Sequence, residues 1–149
     1  YIPKTPGVLL AGGKLQALKI KGTNAIDTAK NFSKYLNVPL PVEWVDIDDP
    51  SNEDAYKADA LYTYKQGLAK GGATFSRGEG AWYSRGSVFF ACSNGGDARL
   101  GQIFELKLYN NDVQALELIF ESTTEEAMGA PDKGYAVVEE APGKYVRQR

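Results

Sequence analysis

The chain reads as an all-β protein with short helical insertions. Three observations predict this: short strand-like stretches recur along it, glycine-rich turns separate them, and only two segments carry helical signals. The pattern fits a sheet interrupted by helices. It also fits part of a β-propeller, where four-stranded blades repeat around a channel, and 149 residues would then make two to three blades. No clean internal repeat, low-complexity segment or interdomain linker divides the chain, so residues 1–149 read as a fragment of a single domain.

The elements follow in order. "KLQALKIK" (Lys14–Lys21) sets Leu15, Ala17 and Lys19 against Gln16, Leu18 and Ile20, an imperfect alternation that stops at Gly22. "NAIDTAKNFSKYL" has a cap at Thr23 or Asn24 and ends near Asn37 and Pro39, so it reads as a helix. "PVEWVDID" (Pro41–Asp48) alternates Val42 and Trp44 with Glu43, then turns acidic. "SNEDAYKADALYTYKQGLAKGG" is the second helical segment. It starts at Ser51 or Asn52, places Glu53 and Asp54 in its first turn, and stops at Gly71-Gly72. "SVFFACS" (Ser87–Ser93) is a short continuous apolar run, suited to a strand buried on both faces. "GQIFELKLY" (Gly101–Tyr109) and "ALELIFES" (Ala115–Ser122) flank the turn-rich "NNDVQ" and read as a hairpin. "GYAVVEE" (Gly134–Glu140) is a last strand, closed by Pro142-Gly143.

Composition removes several kinds of chemistry. Histidine is absent, so this chain alone cannot build a Ser-His-Asp or Cys-His nucleophile. The commonest zinc and iron ligand is missing for the same reason. The single cysteine, Cys92, can form neither an internal disulfide nor a cysteine-rich metal site. A net charge of −2 gives no basic footprint for nucleic acid. No apolar run approaches the roughly 18–20 residues of a membrane span. The start, "YIPKTPGVLL", lacks both an initiator methionine and a signal peptide, and it reads as an excised segment already inside a fold. What remains for chemistry is carboxylates, arginine, lysine, amides and tyrosine.

Those tools meet in "FSRGEGAWY". Residues two apart on a strand face the same side, so Arg77 and Glu79 would project together, with Ser76, Gly78 and Gly80 leaving room around them. A guanidinium is a planar fork for phosphate or carboxylate oxygens. A carboxylate is a hard ligand for calcium, magnesium or ferric iron. The pair could hold an anion and a cation at once, or be an ion pair on a sheet surface, worth little.

Other candidates read more simply. The acidic run Glu43, Asp46, Asp48 and Asp49 does not match calcium-loop spacing and suits a solvated strand end. "AGGK" (Ala11–Lys14) and "NGGDAR" (Asn94–Arg99) are turns, not phosphate-cradling loops. Cys92 suits a small buried side chain. Trp82 and Tyr83 suit core or hairpin packing.

"TPGVLLAGGKLQALKIKG", "VEWVDIDDP", "FSRGEGAWY", "FFACSNGG", "GQIFEL" and "GAPD" occur in the order seen in PhoX-type alkaline phosphatases. From Tyr1 to Asp132 the chain resembles that family. The resemblance implies part of an exported, periplasmic or secreted bacterial β-propeller that hydrolyses phosphate monoesters with iron and calcium ions. It implies that Arg77 contacts the substrate phosphate and that Glu79 is a metal ligand, with Phe75 and Gly80 completing the motif. The family's iron-bridging cysteine and further acidic ligands would come from other segments of the parent. Cys92 sits in a different motif and does not inherit that role. After "GAPD" the chain departs from the family's usual continuation, which suggests a junction near residues 132–134. This segment alone would then be inactive. The competing readings are a non-catalytic propeller segment serving as a binding or scaffolding surface, and another calcium-dependent esterase or lactonase on the same scaffold.

Overall fold

The computed structural model describes residues 1–109, 113–123, 136–141 and 144–148; for Tyr109, Val113 and the last two ranges, only the backbone is described. The described residues are mostly β, as expected. Strands β1 (Ile2–Thr5), β2 (Val8–Ile20), β3 (Leu40–Ile47), β4 (Gly78–Ser84), β5 (Ser87–Cys92), β6 (Gln102–Tyr109) and β7 (Val113–Glu121) form one curled antiparallel sheet. Their order is β1-β2-β3-β7-β6-β5-β4. Strands β8 (Ala136–Ala141) and β9 (Lys144–Gln148) pair as a separate antiparallel hairpin. Residues 110–112 of the expected β6–β7 turn, the Pro142-Gly143 closure, "GAPD" and the junction near 132–134 lie outside the described residues.

The sheet has two parts. Strands β4 to β7 form a consecutive up-and-down meander, with the strand number and direction of one propeller blade. Strands β1 to β3 form a second meander. The two meet through a short β3–β7 pairing, Leu40 with Leu116 and Pro41 with Ala115. The arrangement is that of a partial propeller with two short helices, α1 (Glu53–Ala58) and α2 (Tyr62–Ala69), inserted between β3 and β4.

The core lies on one face. Phe104 and Leu106 of β6 oppose Leu118 and Leu116 of β7, and three of these four are fully buried. Ile20, Val42 and Cys92 join them from neighbouring strands. Phe90 stacks on Phe104 at 5.2 Å, and Phe75 meets both rings edge-on at 5.3 Å. The imperfect alternation of β2 has a cause: Leu18 and Ile20 face this core, while Leu15 and Ala17 face α2 on the other side.

Three expectations are corrected. "AGGK" is not a turn but lies within β2. "NAIDTAKNFSKYL" is not an α-helix; its helical geometry is limited to one 3-10 turn, Ser33–Tyr35. Its amides are taken by distant partners: Ala25 N–H by the Gly71 carbonyl at 3.1 Å, Thr28 N–H by the Thr74 carbonyl at 3.1 Å. The segment lies along the sheet and delivers Phe32, 1% exposed, into the core. The second segment is helical but broken. Asn52 caps α1 by accepting from Ala55 N–H, and Asp59 then leaves helical geometry and accepts from Leu61 N–H at 3.0 Å. α2 ends where expected, with Gly71 and Gly72 amides returning to Leu68 and Gly67 carbonyls.

Candidate site at the open end of the β4–β5 hairpin

"SRGS" closes the hairpin. Arg85 and Gly86 both have positive φ, 49° and 83°, and they make the two-residue turn whose twist matches antiparallel strands. The Arg-x-Glu motif lies at the opposite, open end. There β4 departs from the ladder: Gly78 pairs with Cys92, but Ala81 pairs with Phe90, leaving one extra residue on β4. This is a β-bulge at Glu79-Gly80, a device that bends a strand and re-aims its side chains.

Arg77 lies just before β4 in the left-handed region, at φ 52°. It is therefore not the strand neighbour of Glu79 that simple alternation suggests. The two side chains nevertheless converge, with Arg77 Nη2 3.6 Å from Glu79 Oε1. Ser93 ties the arrangement to β5: its amide donates to the Arg77 carbonyl at 3.0 Å, and its hydroxyl donates to Glu79 Oε1 at 3.0 Å. Sequence reasoning missed Ser93, whose contact with Glu79 depends on the hairpin register. Both charged side chains are open to solvent, 72% exposed for Arg77 and 51% for Glu79. The site thus offers a solvent-open guanidinium paired only loosely with Glu79, and a carboxylate with Oε2 free of any hydrogen bond among the described residues.

Beside it opens a polar cleft of about 460 Å³. Ser76, immediately before Arg77, and Asn94, immediately after Ser93, line its wall, so the cleft begins where the motif ends. Loop Asn94–Arg99 forms its far side and is held in place from beneath. Gln102, 2% exposed, donates its amide to the Thr28 carbonyl and to Glu121. Gly95 and Gly96 lie directly on these two side chains: a Cβ at Gly95 would meet Gln102 Oε1 at 2.3 Å, and one at Gly96, where φ is 84°, would meet Glu121. The glycine pair is therefore a turn fitted to buried polar side chains.

The remaining candidates stand apart from this place. The acidic run is dispersed onto separate partners: Glu43 on Lys19, Asp46 on Lys14 and Gln16, Asp48 on Lys70, Asp49 on Tyr62 and Asn52. Hydrogen bonds from Gln16 and Lys14 hold the Asp46 carboxyl below its usual range. Cys92 is fully buried, and burial pushes its thiol up to about 11, far from a nucleophile's range. Trp82 and Tyr83 are not core residues; they lie 75% and 65% exposed on the edge strand β4. Among the described residues, no three cysteine, aspartate or glutamate side chains converge as a metal centre, and no helix is long and apolar enough to cross a membrane.

A curled, mostly antiparallel sheet with two short inserted helices is the architecture of a partial propeller, and the Arg-x-Glu pair lies at the bulged end of one of its hairpins beside a polar cleft. The family described as Alkaline phosphatase PhoX matches residues 3–142, nearly the whole chain, and the chain belongs to that family. The match runs across residues 132–134. It ties the chain to phosphoesterases of the alkaline phosphatase type and to phosphate ester substrates. No curated protein and no solved structure matches the chain.

Proposed function

We propose that residues 1–149 are one part of a single propeller domain in a metal-dependent phosphomonoesterase, and that they contribute its phosphate-binding arginine and one metal-binding carboxylate. The observation that carries this reading is the convergence of Arg77 and Glu79 at the bulged end of the hairpin, within a chain of the alkaline phosphatase PhoX family. In the assembled site Arg77 turns its fork to phosphate oxygens and stabilises the charge they carry during transfer. Ser93 holds one oxygen of Glu79, which leaves the other to meet a cation.

Glu79 fits calcium or ferric iron as a hard oxygen donor, but it is a single ligand. The other ligands belong to residues outside those described. Bound there, the ions would supply Lewis acidity and an activated oxygen nucleophile. On this reading the parent works in the periplasm or outside the cell, and the segment alone is inactive.

The test uses the full-length parent and a phosphate monoester. Removing one oxyanion donor typically costs about 10²–10³ in kcat, and Arg77→Ala should lose turnover on that scale, with Arg77→Lys recovering only part of it. Wild-type turnover in Arg77→Ala would refute the assignment. The high exposure of the Arg77–Glu79 pair favours a second reading, a plain surface ion pair on a non-catalytic binding segment. A full-length parent that carries no stoichiometric metal and hydrolyses no phosphate ester would support that alternative.

A further inference from the structure

The cleft beside the motif has a composition that the phosphate and metal roles do not use. It is bounded by Asp27–Lys30, by Thr74–Ser76 at the entry to the motif, and by loop Asn94–Arg99. Three of its charged groups are occupied. Lys30 Nζ lies 3.4 Å from Asp27 Oδ2, and Asp97 Oδ1 accepts from Asn31 N–H at 2.8 Å, joining the two loops. Arg99 is different: it makes no ion pair or side-chain hydrogen bond among the described residues. Its backbone is fixed, with Arg99 N–H donating to the Gly96 carbonyl at 3.0 Å and φ at 57°. The loop that carries it rests on buried Gln102 and part-buried Glu121 and closes on itself through Gly101 N–H to the Gly95 carbonyl at 3.0 Å. A rigid loop thus holds an uncommitted guanidinium at the wall of a cleft that begins one residue from Arg77. Tyr64 of α2 adds a half-exposed aromatic ring to the opposite wall.

We propose that this cleft receives the leaving group of the phosphate ester, and that Arg99 selects leaving groups bearing an oxyanion. The inference rests on the phosphatase reading of Arg77. A phosphoryl group seated on Arg77 points the rest of the ester along Ser76 and Asn94 into the cleft. Cleft volume gives room for a ring-sized group, and Tyr64 gives it a face to lie against. Arg99 is a specificity residue in this scheme, separate from the group that binds the phosphoryl oxygens.

The test compares two esters in the full-length parent: phenyl phosphate, with an uncharged aryl group, and 4-carboxyphenyl phosphate, with a carboxylate on the same ring. The wild type should show the lower KM for the carboxylated ester. Arg99→Gln should raise that KM about tenfold, the scale of one lost hydrogen bond to a charged group, while kcat for both esters and KM for phenyl phosphate stay within about twofold. Arg77→Ala, by contrast, should depress turnover of both. Equal effects of Arg99→Gln on the two esters, or none on either, overturn the cleft assignment while leaving the phosphatase reading intact. A parent that hydrolyses neither ester removes both.

Discussion

Arg77 and Glu79 show how much one residue's backbone region matters. Their pairing depends on a left-handed Arg77 and on an extra residue in β4. Alternation along the sequence places the two side chains together for the wrong reason, because it assumes a regular strand through both. The glycines around them were the legible hint, since bulges and left-handed turns recruit glycine. Ser93 was not legible, because contact across a hairpin depends on register. Cys92 was correctly read as inert. Its thiol should resist alkylation at pH 8 in the folded parent and react once the protein is denatured; rapid labelling of the native protein would contradict its burial. Phe104 lies at the centre of a cluster with Phe32, Phe75 and Phe90. Phe104→Ala should cost roughly 3–5 kcal/mol, read as a lowered denaturant midpoint, and a change under about 1 kcal/mol would show that the site collapses without a cavity.

At the scale of elements, strands were easier to read than helices. β5, β6 and β7 carry apolar runs of ordinary strand length bounded by turn residues, and all three form. The segment after Thr23 failed because helical spacing alone cannot report that Phe32 is required by a distant core, nor that the amides of Ala25 and Thr28 have partners after α2. β1 was missed because it is short and lies at the sheet edge; a strand through the motif was expected, but not the bulge that bends β4. Lys14 and Asp46 link β2 and β3 at 3.0 Å, and Gln16 reinforces the carboxylate at 2.6 Å. The folded Asp46 pKa is depressed, so this contribution is present above the ordinary value near 3.8 and is lost as pH falls through the lower folded value. Asp46→Asn should therefore flatten the acid limb of a stability–pH curve below about pH 4 and lower stability at pH 7 by the same amount, a small one because the pair is exposed. An unchanged acid limb would count against the linkage.

For the whole molecule, two meanders share one curled sheet and leave apolar side chains open on edge strand β4 and on β2 beside edge strand β1. Leu9 and Leu10 of β2 and Trp82 and Tyr83 of β4 are largely exposed. A sheet with such edges is expected to associate with further strands of its parent or to aggregate without them. Fold class was legible from the count of strands and turns, and family from the order of motifs. Assembly of a complete site was not, since among the described residues no three acidic or cysteine side chains converge. The separation of roles between Arg77 and Glu79 is the claim on which the functional account depends. Its most direct test is the metal content of the purified full-length parent in wild-type, Arg77→Ala and Glu79→Gln forms. The account requires Glu79→Gln to lose bound metal while Arg77→Ala keeps the wild-type complement and loses phosphate binding. Equal metal in all three proteins would contradict it.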